Sequence, residues 1–221
     1  MVDADKTYTL EEAVGLLKQF PRAKFDETVD LAFRLGVDPR QSDQMVRDTV
    51  PLPHGSGKDV RVVVFATSSD AAEAAKEAGA FEVGFEDLIE RVTGGWVDFD
   101  VAVATPEAMA EVRKLGRVLG PRGLMPNPRT GTVTDDTAKA VKELKAGRID
   151  FKVDKTSNLH VVVGKASFES NQLVENIRTV FGSVVRAKPE SIKGTYLKSC
   201  AISSAMSPAV RIDLKEVTEA A

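Results

Sequence analysis

The hydrophobic period of this chain changes twice, and that limits it to folds with two kinds of sheet. Near the N-terminus, Val29, Leu31, Phe33 and Leu35 alternate with Thr28, Asp30, Ala32 and Arg34, within FDETVDLAFRL from Phe25. Such a period of two marks a half-buried strand with one polar face. From Val60 the pattern becomes VRVVVFA, and from Val97 VDFDVAVAT, both nearly continuous apolar runs. Runs of that kind suit parallel strands covered on both faces. Near Gly147–Arg148 the alternation returns: Phe151 and Val153 against Lys152 and Asp154, then Leu159, Val161 and Val163 with His160 on the opposite face.

The helical signals divide the same way. In the middle, SSDAAEAAKEAG carries a serine cap, an alanine-rich body and a Gly79 stop; FEDLIERV and PEAMAEVRKLG follow, the latter with Pro106 at its start. These are ordinary helix boundary residues. The resulting β-α-(β)-α-β-α series predicts an inserted α/β, Rossmann-like doubly wound domain over 57–148. At the ends, Thr9 and Glu12 form a capping-box pattern ahead of Leu10, Val14 and Leu17. Leu173, Ile177, Val180, Phe181 and Val184 form an amphipathic helix, and TYLKSCAIS and AVRIDL alternate as strands. These predict one discontinuous α+β domain, an antiparallel sheet with helices, over 1–56 plus 149–221. The chain would cross between domains at PLPHGSGK (51–58) and near 147–149. Gly55, Gly57 and Gly147 are the expected hinge residues.

Several chemistries are excluded early. The longest apolar run, Val62 to Ala66, is far short of the roughly 18 residues of a membrane span. The acidic, amphipathic N-terminus does not read as a secretory signal. A single cysteine, Cys200, precludes an internal disulfide and reads as a small buried thiol. These features predict a cytoplasmic protein with no membrane partner. Gly57–Lys58 is followed by Asp59, which breaks a phosphate loop, and Gly55-Ser56-Gly57 precedes its strand, which breaks a dinucleotide fingerprint. His54, His160 and Cys200 lack metal-ligand spacing, and no serine stands in a GxSxG elbow. No catalytic residue, metal or cofactor is expected.

Charge is segregated along a chain whose net charge is −3. Between Val112 and Thr134 stand Arg113, Lys114, Arg117, Arg122 and Arg129 with no acid, inside a stretch rich in glycine and proline. A cation-rich loop from Arg113 to Arg129 is either a phosphate site or a solvated connector, and both readings stay open. The polar strand face with Lys24, Thr28 and Asp30, together with Lys152, Lys155, Lys193 and Lys198, offers hydroxyls and ammonium groups without an aromatic ladder. That suits the shape and backbone of structured RNA better than a single strand.

At this point the residues become recognisable. AKFDETVDLAFRLGVDPRQSDQMVR from Ala23, LPHGSGKDVRVVVFA from Leu52, LGRVLGPRGLMPNPRTGTV from Leu115, AGRIDFKVDKTSNLHVVVGKASF from Ala146 and KGTYLKSCAISSAMSPAVRIDL from Lys193 closely resemble the bacterial large-subunit ribosomal protein L-one family. The resemblance covers nearly the whole chain. It implies a part of the 50S subunit that binds 23S-type rRNA at a mobile stalk, meets exit-site tRNA and represses its own operon mRNA. It places the rRNA face on Lys24, Phe25, Thr28, Asp30, Asp154, Lys155, Ser199 and the turn Ser203, Ser204, Ala205, Met206, Ser207 and Pro208. Arg117, Arg122 and Arg129 would then shape an interdomain cleft or make secondary RNA contacts. The alternatives are a free mRNA-binding repressor and a nucleotide-dependent enzyme. Two departures stand in the final turn: Ala205 where the family has a hydroxyl, and Ser207 where it has glycine, so a positive-φ requirement there would be strained. The family's usual basic N-terminal arm is also missing.

Overall fold

The computed structural model describes residues 2–3 and 6–214, with the side chains of Ser42 and Arg129 left out. In chain order the elements are α1 (Leu10–Gln19), β1 (Thr28–Leu35), β2 (Arg47–Pro51), β3 (Val62–Phe65), α2 (Ser69–Glu77), β4 (Glu82–Gly84), α3 (Glu86–Thr93), β5 (Val101–Ala104), α4 (Met109–Val112), α5 (Gly116–Leu119), α6 (Thr137–Lys145), β6 (Arg148–Lys152), β7 (Asn158–Lys165), α7 (Ser170–Arg186), β8 (Leu197–Ser204) and β9 (Val210–Ile212). It is a mixed α/β chain with three sheets. Contacts divide it into one unit that runs to Gly57 and resumes at Gly147, and a second from Lys58 to Ala146.

The discontinuous unit is built on a four-stranded antiparallel sheet in the order β7-β1-β8-β9. β1 is its centre, and its burial alternates strictly from Thr28 to Phe33. One face carries Val29, Leu31, Phe33 and Leu35 into a core with Val14 and Leu17 of α1 and Leu173, Ile177, Val180, Phe181 and Val184 of α7. Phe33 and Phe181 meet edge to face, centroids 4.9 Å apart. Each such fully buried side chain contributes about 1.5–3 kcal/mol by leaving water. α1 starts with the expected capping box, Thr9 accepting from the Glu12 amide and Glu12 from the Thr9 amide, both at 3.2 Å. Cys200 is buried on the core side, and desolvation pushes its thiol well above the ordinary range.

A second ribbon pairs β2 with β6, Val50 opposite Ile149. Composition predicts a linker from Pro51, whereas Arg47–Pro51 forms β2. RDTVP has only five residues and one buried position, too few for a period to stand out. β1 also starts later than the alternation implied, at Thr28 rather than Phe25. The Glu27 carboxylate turns back to the Ala23 amide at 2.8 Å, and the Glu27 backbone carbonyl accepts from the Ala166 amide at 2.8 Å at the edge of the ladder.

The second unit contains a three-stranded parallel sheet, β4-β3-β5, with β3 fully buried. One side packs on Leu88, Val92, Val112 and Leu119, the other on Ala75, Val141 and Leu144. The strand expected from Val97 begins at Val101, because Asp98 and Asp100 are turned to Arg61 instead. Ser68 occupies the N-cap of α2 as expected but makes no capping bond with its side chain. The stretch from Arg113 to Arg129 is not one loop. Arg113 and Lys114 lie in a 3-10 turn between α4 and α5, and Arg117 is on α5. The apolar spacing Val112, Leu115, Leu119 buries one face of that run and keeps it helical.

Candidate nucleic-acid interface

The face of the four-stranded sheet opposite the helices is open, and cross-strand register arranges it in rows. Arg34 sits between Asn158 and Ser199, Ala32 between His160 and Ala201, and Asp30 between Val162 and Ser203. At the end of β1, Thr28 lies opposite Lys165, whose ammonium donates to the Thr28 hydroxyl at 2.9 Å. Asp30 is half-buried, and desolvation raises its carboxyl above the usual range, with His160 and Lys165 pulling the other way. Thr28, Asp30, Ser199 and Ser203 therefore share one face.

The predicted residues gather at both ends of that face rather than at one point. Six residues of strand separate Thr28 from Arg34, roughly 20 Å. At the Thr28 end stand exposed Lys24, Phe25 and the turn after β8. Phe25 is 57% exposed and Met206 74%, a large apolar exposure for one short region. The Ala205 amide donates to the Thr28 carbonyl at 3.1 Å, so the ladder continues past the strand. Ser207 closes the turn with its own side chain, accepting from the Ser204 amide at 2.9 Å and donating to the Pro208 carbonyl at 3.1 Å. Its backbone is not strained. Among the described residues Ser157 alone has positive φ outside glycine, so the expected strain at Ser207 is absent.

The residue that organises this end was missed from sequence. Glu27 is 3% exposed. Its carboxylate accepts from the Ser204 hydroxyl at 2.6 Å, the Ala23 amide at 2.8 Å and the Met206 amide at 3.1 Å. The Ser204 bond, then the Ala23 and Met206 amides, hold its carboxyl below the usual range. One carboxylate thus pins the Lys24–Phe25 segment to the Met206 turn. The Ser204 hydroxyl, expected on the outer face, is used inward. A glutamate in an otherwise apolar-in position, flanked by Phe25 and Val29, was the available signal.

At the other end, Asp154 shapes the β6–β7 turn. It accepts from the amides of Thr156 and Asn158 at 2.8 Å and from the Thr156 hydroxyl. The Asn158 amide and then the Thr156 hydroxyl keep its carboxyl low. Ser157, at φ 66°, donates its hydroxyl to the Val37 carbonyl at 2.9 Å. Arg34 donates to the Thr156 carbonyl and to Asn158 Oδ1 at 3.0 Å. The exposed Lys155 is therefore presented from a braced turn. Arg34, Asn158, His160 and Lys165 also escaped the sequence reading as site residues, although the same alternation places them on the polar face.

Elsewhere, Arg117 and Arg122 are exposed on the second unit, and the Arg129 side chain lies outside what is described. The segment after them is braced: Thr132 accepts from the Asn127 amide at 2.8 Å and contacts the Thr130 hydroxyl at 3.1 Å. Past the carboxyl ends of β3 and β5, a cavity of about 390 Å³ is lined by Asp70, Glu107, Asp135 and Asp136 with no lysine or arginine. Such a lining repels a nucleotide phosphate. Gly55, Gly57 and Gly147 have φ of 69°, 71° and 99°. A Cβ on Gly147 would stand 2.3 Å from the Gly55 Cα, so the two crossings of the chain touch and require glycine there.

Residues 17–208 match the family described as the Ribosomal protein L1p/L10e family. Among similar proteins, large ribosomal subunit protein uL1 of Beutenbergia cavernae is 60% identical over 212 residues, covering 96% of this chain and 89% of that protein. The uL1 of Mycobacteroides abscessus is 58% identical over 212 residues, 96% of this chain and 90% of that protein. The uL1 of Protochlamydia amoebophila is 56% identical over 215 residues, 97% and 91% respectively.

Proposed function

The chain belongs to the Ribosomal protein L1p/L10e family, and from that premise we propose that it grips structured 23S-type rRNA on the open face of its four-stranded sheet. As a family member it is a structural constituent of the large ribosomal subunit, not an enzyme, and resides with ribosomes in the cytoplasm. The observation that carries the RNA reading is the register itself. It sets Thr28, Asp30, Ser199 and Ser203 on one face, flanked by exposed Phe25 and Met206 at one end and Asp154–Lys155 at the other.

The proposed mechanism is a static clamp. Hydroxyls of Thr28, Ser199 and Ser203 meet 2′-hydroxyls and phosphate oxygens, while Lys24 and Lys155 supply the salt-dependent attraction. Phe25 and Met206 lay apolar surface against exposed sugar or base faces. Burial raises the Asp30 carboxyl above the usual range, and the group accepts from RNA hydroxyls. The inserted unit, read as a Rossmann-like doubly wound domain over about 57–148, moves on the hinge at Gly55, Gly57 and Gly147 as a stalk requires. Contact with exit-site tRNA, with Arg117, Arg122 and Arg129 as secondary contacts, and repression of the operon's own mRNA complete the proposal.

The test is binding to an rRNA stalk fragment across a salt series, beside an unrelated duplex RNA. Tighter binding to the stalk with a steep decline in salt is expected. Equal affinity for both RNAs at every salt concentration would sink the reading.

A further inference from the structure

We propose that His160 and Arg211 are a second pair of RNA contacts, which hold backbone on either side of the sheet's middle row. The inference rests on the RNA reading above and adds two residues to it. Register carries it: Ala32 faces His160 on one side and Ala201 on the other, and Ala201 in turn faces Arg211. Directly paired residues project from the same side of a sheet, so all four lie on the open face. Their strands stand in the order β7, β1, β8, β9, three spacings, which puts the His160 and Arg211 backbones roughly 14–15 Å apart. Between them lie only two methyl groups, so an RNA strand can settle lower here than over the rows of Arg34 and Asp30.

Both outer side chains are available. His160 and Arg211 are exposed; the Asp30 and Asp154 carboxylates lie close enough to His160 to interact with its charge, and no hydrogen bond ties down either side chain among the described residues. This separates them from Arg34, held by the Thr156 carbonyl and Asn158, and from Lys165, held by Thr28. The backbone beneath Arg211 is fixed, since its carbonyl accepts from the Tyr8 amide at 2.9 Å and Ile212 beside it is in the core. A guanidinium presents a fork suited to a phosphate, and an imidazole N–H suits a phosphate oxygen or a 2′-hydroxyl. A ligand bridging both must be broad and polyanionic along its length, which describes an RNA backbone rather than a lone phosphate.

The experiment uses the full chain and the same rRNA stalk fragment across a salt series. Arg211→Gln is expected to flatten the slope of log affinity against log salt by about one, the loss of one phosphate contact. His160→Ala is expected to weaken binding roughly threefold to tenfold, with His160→Gln recovering part of the loss through its amide donor. Ala201→Leu raises the floor and is expected to weaken binding at every salt concentration. Lys76→Ala, on the exposed side of α2 in the other unit, is the charge control. A parent chain that binds while Arg211→Gln and Lys76→Ala show its slope, and His160→Ala its affinity, overturns this inference alone. A parent chain that shows no preference for the stalk overturns the RNA reading with it.

Discussion

Replacing Asn176 by alanine should loosen the discontinuous unit at the point where the chain leaves it. Asn176 is fully buried in the middle of α7. Its amide donates to the Val163 carbonyl at 2.8 Å and to the Gly55 carbonyl at 3.1 Å, and its oxygen accepts from the His54 amide at 3.1 Å. Val163 lies in the core, so its carbonyl is left unpaired in the variant, at about 1–3 kcal/mol. The His54–Gly55 segment is nearer solvent and recovers water, losing about 0.5–1.5 kcal/mol per bond. The total is about 2–6 kcal/mol, a large part of the 5–15 kcal/mol typical of a folded domain. Asn176→Asp should be worse at neutral pH, because it points a carboxylate at two carbonyls. Urea unfolding followed by amide exchange in α7 and β7 measures the loss, and Trp96, the single tryptophan, reports the other unit. A loss below about 0.5 kcal/mol at α7, or an equal shift of the Trp96 transition, would refute the reasoning. The variant also tests the hinge: freeing His54–Gly55 should broaden the distance distribution between labels on the two units.

Glu27→Gln leaves one acceptor oxygen where the carboxylate has two, so its NH2 must face either the Ala23 amide or the Ser204–Met206 donors; one side of the clamp is lost, and the turn should loosen and RNA binding weaken. Because the folded carboxyl is depressed, its stabilisation is fully present above the ordinary glutamate range and is lost as pH falls through the lower folded value. The Met206 amide resonance should follow that titration in the parent and not in the variant. Ala205→Thr adds a hydroxyl at an exposed position whose amide already anchors to Thr28, so stalk affinity should rise about twofold to tenfold. Unchanged affinity in a fluorescence titration would mean that no RNA group faces residue 205.

Much of the fold was legible because period reports burial. Alternation from Val29 to Leu35 described a sheet with one open face, and the runs from Val60 and Val97 described a covered parallel sheet. The short strand β2 was not legible, having one buried residue. Arg113 to Arg129 misled in the other direction: glycine and proline suggested a loop, while Val112, Leu115 and Leu119 kept half of it helical.

What the sequence determined by itself is the division into two kinds of sheet, the membership in a ribosomal protein family and the polar identity of the open face. Tertiary structure decided how that face is assembled. Ser204 reaches Glu27 across 177 positions of chain, and Asn176 reaches Gly55 across 121. Bonds that distant leave no mark on local periodicity, because the period records only which side of an element is buried. Register then decided the rows: which lysine is held by Thr28, and which residues, His160 and Arg211, flank the Ala32–Ala201 row.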